Sequence, residues 1–249
     1  MSISREGGGK HMVRRIARSI PPLRRAYRAV RELSHRDPLM MALHAKIFER
    51  LRLKLPEVEA KILVPNIESI KIPAFHPLVA GEDAPLTDLL FLLSVAKARN
   101  AQRILEVGTF RGRSTFALHL NCPDAQIISY DVQVLPSLYR TALQNCAGVE
   151  LRHASFGASA AALQSEHRFD FIFVDGAHDI QSVCNDSQLA FEIVDPTGII
   201  IWHDYRRTGY FAPELQVPEA LELVRGCRQL FHVRGTTCAV YCPAAIADN

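Results

Sequence analysis

The chain has 249 residues, 48% of them hydrophobic and 22% charged, which is enough for one sizeable core plus an appendage. No apolar run approaches the roughly 18 residues that span a bilayer, and no secretory apolar segment follows the N-terminus. The net charge of +3 is unevenly placed: residues 1–36 hold ten Lys/Arg against two acids, leaving nineteen against twenty-four beyond them, so a mildly acidic body carries a basic arm.

The arm begins with Gly7-Gly8-Gly9 and, after Pro21-Pro22, predicts a helix from Leu23 to Leu33. Arg24, Arg25, Arg28 and Arg31 lie at helical spacing, with Leu23, Tyr27, Val30 and Leu33 on another face. Such a helix suits packing on its own domain or on a second subunit, or peripheral contact of residues 11–36 with an anionic surface. It lacks the aromatics that stack bases, so nucleic acid is not the expected partner. Asp37-Pro38 pairs an N-cap with a first-turn proline and predicts a helix to about Leu53. Pro56, Pro65, Pro73, Pro77 and Pro85 mark the rest of residues 37–84 as a lid or connecting segment, leaving a domain over 85–249.

From Pro85 onward, helix and strand patterns alternate. A helix over Leu86 to Ala98 precedes strands at Arg103–Val107, Ala125–Tyr130, Val149–His153, Phe169–Val174 and Gly198–Trp202. Helices fall between them at Arg113–Leu120, 136–146, 157–165 and 179–193, and another covers 213–225. Leu230–Val233 and Cys238–Tyr241 close the chain as a hairpin, which implies an antiparallel strand at one sheet edge. The expected fold is α/β, a doubly wound and mostly parallel sheet that binds ligands at the carboxyl ends of its strands. Cys122, Cys146, Cys184, Cys227, Cys238 and Cys242 form no C-x-x-C pair and read as reduced thiols, which favours a cytoplasmic setting.

Every chemistry-bearing candidate ends a predicted strand. After the first strand, Glu106, Gly108 and Gly112 give G-x-x-x-G, not the G-x-G-x-x-G of dinucleotide binders. A carboxylate at Glu106 repels a pyrophosphate and suits a cationic ligand such as S-adenosylmethionine. Asp131 ends the second strand, where an acid accepts both hydroxyls of a ribose; capping a helix is its structural alternative. Asp175 ends the fourth strand and His203-Asp204 the fifth, presenting oxygen and nitrogen donors to one crevice, as a divalent cation or a structural hydrogen-bond network would use them. His178, at the entry to the next helix, can take a proton from a hydroxyl or serve as a cap. Arg206 and Arg207 suit either an anionic substrate group or the surface.

Residues 85–242 resemble the class I S-adenosylmethionine-dependent methyltransferases. Among these they are similar to the small metal-dependent O-methyltransferases related to catechol O-methyltransferase and to the macrolide-sugar and cephalosporin-pathway enzymes. The stretches LEVGTFRGRST (105–115), VDGAH (174–178) and WHDY (202–205) carry the resemblance. It implies a Rossmann-like sheet of seven strands with an antiparallel last strand. The cofactor's methionine end would meet Glu106 and the turn of Gly108, Thr109, Phe110, Gly112 and Ser114. Asp131 would hold the ribose, and Ser155 and Phe156 would border the adenine. Asp175 and Asp204 match the family's metal positions, and His178 matches a lysine base. His203 replaces a carboxylate, so as a further ligand it leaves room for manganese as well as magnesium. The Asn/Asp-Pro-Pro-aromatic segment of amino-methylating relatives is missing, which favours oxygen as the acceptor. The expectation is therefore O-methylation of a hydroxyl on a small molecule: a sugar, a phenol or a natural-product scaffold. The rivals are a nucleic-acid methyltransferase using the basic arm and a non-catalytic cofactor-binding module. A nicotinamide-linked oxidoreductase fits the glycine spacing poorly, and homo-oligomerisation stays open.

Overall fold

Short apolar runs that alternate their burial set the architecture. In a computed structural model, residues 55–64, 69–73, 84–133, 137–159, 168–205 and 216–243 are described. They lie in one unit spanning Leu55–Asn249. The predicted helices of the basic arm and of Asp37 to Leu53, together with Arg206 and Arg207, lie outside the described residues. Among the described residues no helix is long and apolar enough to cross a membrane.

The strands are β1 (Glu57–Val58), β2 (Arg103–Val107), β3 (Gln126–Asp131), β4 (Val149–His153), β5 (Phe169–Val174), β6 (Val194–Trp202), β7 (Phe231–Val233) and β8 (Ala239–Tyr241). The helices are α1 (Ala60–Leu63), α2 (Leu86–Ala98), α3 (Arg113–Asn121), α4 (Leu138–Leu143), α5 (Ile180–Ile193) and α6 (Val217–Val224). One sheet runs in the order β1-β7-β8-β6-β5-β2-β3-β4. All pairs are parallel except those of β8 with β6 and β7. The antiparallel last strand is as expected, but it lies between β6 and β7 rather than at an edge. The sheet has eight strands rather than seven because Glu57–Val58 pairs with His232–Val233, a match too short to leave a periodic signal.

Alternation divides the core into two layers, one on each face of the sheet. Leu105, Val107, Ile172, Val174, Ile200 and Trp202 face α5 and α6. Ile104, Phe171, Phe173, Ile199 and Ile201 face α2 and α3. Central strands buried on both sides read as continuous apolar runs, as β5 does apart from Asp170. That carboxylate accepts the backbone N–H groups of Gln102 at 3.0 Å and Arg103 at 3.2 Å, fixing where β2 enters the sheet. Two elements depart from expectation. Strand β6 starts at Val194, with an irregular register before Ile199. A 3-10 turn at Phe156–Ser159 begins where a helix over 157–165 was expected, and residues 160–165 of that segment lie outside the described ones. Helix α6 covers Val217–Val224, and residues 213–215 of the expected helix lie outside the described residues.

The chain winds outward from β2 to β4, then returns to place β5 on the other side of β2. The crevice between the carboxyl ends of β2 and β5 is therefore the topological switch point of the sheet. Here Asp175 N–H donates to the Val107 carbonyl at 2.7 Å, pressing the two strand ends together. Gly108 sits at φ +102°, and a Cβ there would lie 2.1 Å from the Asp175 carbonyl oxygen. Gly108→Ala therefore faces a disfavoured dihedral and a backbone collision, and should lower unfolding free energy by about 3 kcal/mol or more in urea titrations. A loss under about 1 kcal/mol would show that the crevice is not packed as described.

Candidate active site

The turn after β2 is built by β3. Gly108 and Thr109 N–H groups both donate to the Tyr130 carbonyl, at 2.8 and 3.2 Å. Phe110, in the left-handed region at φ +46°, donates its N–H to Asp131 Oδ2 at 2.5 Å. Asp131 Oδ1 accepts from Gln133 N–H at 2.7 Å. Gly112 then enters α3 at φ +82°. Beneath the turn, Glu106 is fully buried. Its Oε2 accepts from Ser129 Oγ at 2.5 Å and from Thr115 Oγ1, while its Oε1 makes no hydrogen bond. Burial pushes its carboxyl above the usual range, opposed by the neighbouring hydroxyls of Ser114, Ser129 and Thr115.

A cavity of about 770 Å³ opens above the switch point. Gly108, Phe110, Asp131, Ser155 and Phe156 line it, together with Asp175, His178, His203 and Asp204. Thr109 and Ser114 line a smaller recess of about 60 Å³ on the α2 side, which shares Gly108, Phe110, Asp175 and His203 with the large cavity. Glu106 and Gly112 line neither: Glu106 supports the turn from below, and Gly112 shapes it.

At the ends of β5 and β6 the carboxylates and imidazoles converge. Asp179, not Asp175, caps α5 by accepting from the Gln181 and Ser182 N–H groups at 3.1 Å, which leaves Asp175 facing the cavity. Gln216, ahead of α6, receives the Ile180 N–H at 3.0 Å and donates its own N–H to the His178 carbonyl at 2.8 Å, so the His178 segment is clamped. His178 Nε2 lies 3.3 Å from Asp204 Oδ2 and 3.7 Å from Asp175 Oδ1. One ligand atom from each of Asp175, His178 and Asp204 falls within 4.8 Å of the others. Asp204 adopts φ +54°, a left-handed conformation uncommon outside glycine and of the kind that gathers at working sites.

Both ring nitrogens of His203, expected as a further metal ligand, face carboxylates. Nδ1 is 3.0 Å from Asp175 Oδ1, and Nε2 is 3.1 Å from Asp88 Oδ2. Ionised carboxylates only accept, so this arrangement suits a ring that donates from both nitrogens, an imidazolium. Burial opposes that charge, but Asp175, Asp204 and Asp88 raise its pKa well above the ordinary histidine value. Burial would likewise raise Asp175, yet His203 and His178 bring it down to about 2. Burial alone would lower the pKa of His178, but Asp175 and Asp204 outweigh it and the net shift is upward.

Asp88 was not among the residues singled out from the sequence. It stands in the first turn of α2, where an acid ordinarily signals only a helix start. The structure buries it, with the Thr237 N–H donating to Oδ1 at 3.1 Å and Thr237 Oγ1 to Oδ2 at 2.6 Å. Burial would raise its pKa, but His203 and Thr237 leave it lowered. Nothing in the sequence pairs Asp88 with a histidine 115 positions away.

Residues 105–205 match a family model described as a methyltransferase domain. Over that stretch the chain is similar to a methyltransferase domain. A caffeoyl-CoA O-methyltransferase of Populus kitakamiensis is 31% identical over 159 residues, covering 59% of this chain. The chain spans 66% of the length of that relative. The structure of an O-methyltransferase from Bacillus cereus in complex with SAH superposes with a TM-score of 0.51 at 20% identity, covering 66% of this chain and 84% of that one. The cofactor-bound protein Rv0187 from MTB gives 0.50 at 18% identity, covering 90% and 98%. At these identities the two structures establish the shared fold.

The ion chain through His203 makes stability depend on pH. The raised His203 pKa stabilises the fold fully below the unfolded value of 6.5, and this contribution fades as pH rises toward the folded value. The lowered Asp175 pKa contributes fully above 3.8 and is lost as pH falls toward about 2. In metal-free protein, the stability difference between wild type and His203→Gln should be largest between about pH 4 and 6.5 and should narrow on both sides. Urea unfolding across pH measures it, and a difference independent of pH would contradict the ion chain.

Proposed function

We propose that the chain is an S-adenosylmethionine-dependent O-methyltransferase acting on a hydroxyl of a small molecule. One observation carries the reading: the Asp175, His178 and Asp204 cluster lies on the wall of the same cavity that the glycine turn, Asp131 and Phe156 line. The methyltransferase domain and the O-methyltransferase name of the Populus relative support it. The free thiols of all six cysteines suit a reducing, cytoplasmic setting.

Each part of the wall has a task in such a reaction. The cofactor supplies the methyl group as an electrophile on sulfonium. Both oxygens of Asp131 already accept from the backbone, which holds the carboxylate in place, and each keeps a lone pair for a ribose hydroxyl. Phe156 is packed against Tyr130, with ring centroids 5.5 Å apart, and gives the adenine a fixed apolar border. The unmatched Oε1 of Glu106 suits a positively charged amino group reached through the turn or a bridging water.

The donor set of two carboxylates and an imidazole fits magnesium or manganese, because its closest atoms, 3.3 and 3.7 Å apart, are near the about 3 Å separation of neighbouring ligands on such an ion. Asp175 and Asp204 would hold the cation, which would lower the pKa of the acceptor hydroxyl and fix its approach. His178 then has two compatible uses, as third ligand or as proton acceptor, and we assign it the proton. Its Nε2 faces the two carboxylates that stabilise the imidazolium once the proton has arrived. His203, already charged and engaged on both sides, orients Asp175 rather than exchanging protons with the acceptor.

Calorimetry should show that S-adenosylhomocysteine binds and that Asp131→Ala weakens binding by about 1.5–3 kcal/mol, the loss of an ionised acceptor. Methyl transfer to a panel of phenol and sugar hydroxyls should disappear in excess chelator and return with manganese or magnesium. His178→Gln should reduce kcat by ~10²–10⁴-fold with little change in cofactor affinity. Absence of any cofactor binding would end this reading, and full turnover in chelator would return Asp175 and Asp204 to a structural role.

A further inference from the structure

Arg140, in α4, lines neither cavity, yet it bridges two turns that do. Its Nε donates to the Phe110 carbonyl at 2.7 Å and its Nη2 to the Gln133 carbonyl at 3.0 Å. The same two residues donate their N–H groups to Asp131, Phe110 to Oδ2 and Gln133 to Oδ1. These hydrogen bonds close a ring that runs from the carboxylate through Phe110 to the guanidinium and back through Gln133. It ties the turn after β2 to the segment after β3, and Phe110, Asp131 and Gln133 all border the large cavity.

Local sequence puts the guanidinium there. Ser137 caps α4 by accepting the Arg140 N–H at 3.0 Å, and its hydroxyl donates to the Arg111 carbonyl. Gly112 leaves room for the helix: a Cβ there would lie 2.9 Å from Leu143 Cδ1 and 3.3 Å from Arg140 Cγ. Two physical points give the ring a consequence for binding. Phe110 is held at φ +46°, a conformation that persists where neighbours over-determine it, and Arg140 holds the carbonyl of that residue. Asp131 is half-buried, and a rotation of either donating peptide would turn its carboxylate. A planar guanidinium gripping both carbonyls at fixed angles resists such rotation, as a lysine ammonium would not. An acceptor already aimed at its ligand spares the cost of ordering it on binding.

Resting on the reading of Asp131 as the ribose acceptor, we propose that Arg140 is a positioning residue for cofactor binding. By gripping Phe110 and Gln133 it holds the Asp131 carboxylate in the orientation that receives the ribose hydroxyls. It acts through the backbone of those two residues and touches neither the cofactor nor the acceptor.

The test is a double-mutant cycle on the full chain, read by calorimetry with S-adenosylhomocysteine and its 2′-deoxy analogue. Wild type should prefer the ribose compound by roughly tenfold or more, the ratio expected of a hydrogen bond to a charged acceptor, and Asp131→Ala should bring that ratio near one. Arg140→Met, which keeps an unbranched apolar stem against Gly112, should weaken S-adenosylhomocysteine by about five- to tenfold and lower the ratio. In the Asp131→Ala background the same substitution should change affinity by less than about twofold, because the group it positions is gone. Arg140→Lys, with the charge but not the fork, should fall between wild type and Arg140→Met. Equal losses from Arg140→Met in the two backgrounds overturn the assignment, as does an Arg140→Met protein with wild-type affinity or an unchanged ratio. A residue that merely supported the fold would weaken both ligands alike. Those results leave the methyltransferase reading intact. Failure of wild type to bind either ligand, or an Asp131→Ala protein with unaltered affinity and ratio, overturns the reading beneath the assignment and the assignment with it.

Discussion

A histidine with a carboxylate on each ring nitrogen ties together segments far apart in the chain. Asp88 comes from α2, Asp175 from the end of β5 and His203 from the end of β6, while Thr237, before β8, completes the coordination of Asp88. A buried charge is costly unless paired, and removing one partner of such a pair commonly costs about 3–5 kcal/mol because the other is stranded. The arrangement is therefore close to all-or-none. With both carboxylates present, the imidazolium holds Asp175 at a defined angle over the cavity. Without Asp88, the ring would have to reorient or give up its proton, and Asp175 would lose its fixed partner.

The topology explains why this chain of charges stands where it does. Parallel strands leave their carboxyl ends on one side of the sheet, and the reversal between β2 and β5 opens a crevice there. The glycine turn closes one side of that crevice. Gly108 is required because the β5 backbone passes too close for any Cβ. The same proximity makes β5 and β6 neighbours of the glycine turn, so carboxylates and imidazoles gather in one cavity from short strand ends rather than from long loops. Of the three non-glycine residues at positive φ among the described residues, two, Phe110 and Asp204, line the cavity.

Most of this was legible in the sequence where a residue's task is set by its own strand. The bounds of β2, β4 and β5 follow from apolar runs that stop at a charge or a turn. Asp131, Asp175 and Asp204 stand where such runs end, and His178 three residues past one, which singled them out as candidates. What was not legible depends on distance in sequence. Asp88 looks like any acid in the first turn of a helix until the fold sets it against His203. His203 reads as a metal donor until both ring nitrogens are seen to be engaged. Asp170 reads as a blemish in an apolar strand, although it receives two backbone N–H groups that set the start of β2. Strand β1, two residues long, carries too few positions for any period to show.

The charge on His203 is the point on which the account turns, and ring nitrogen NMR of ¹⁵N-histidine-labelled protein at pH 8 reads it directly. The signal that vanishes in His203→Gln should show two protonated ring nitrogens at a pH where a free histidine is neutral. A single protonated nitrogen on that ring, titrating near 6.5, would contradict the account and leave Asp88 and Asp175 without the cation that holds them together.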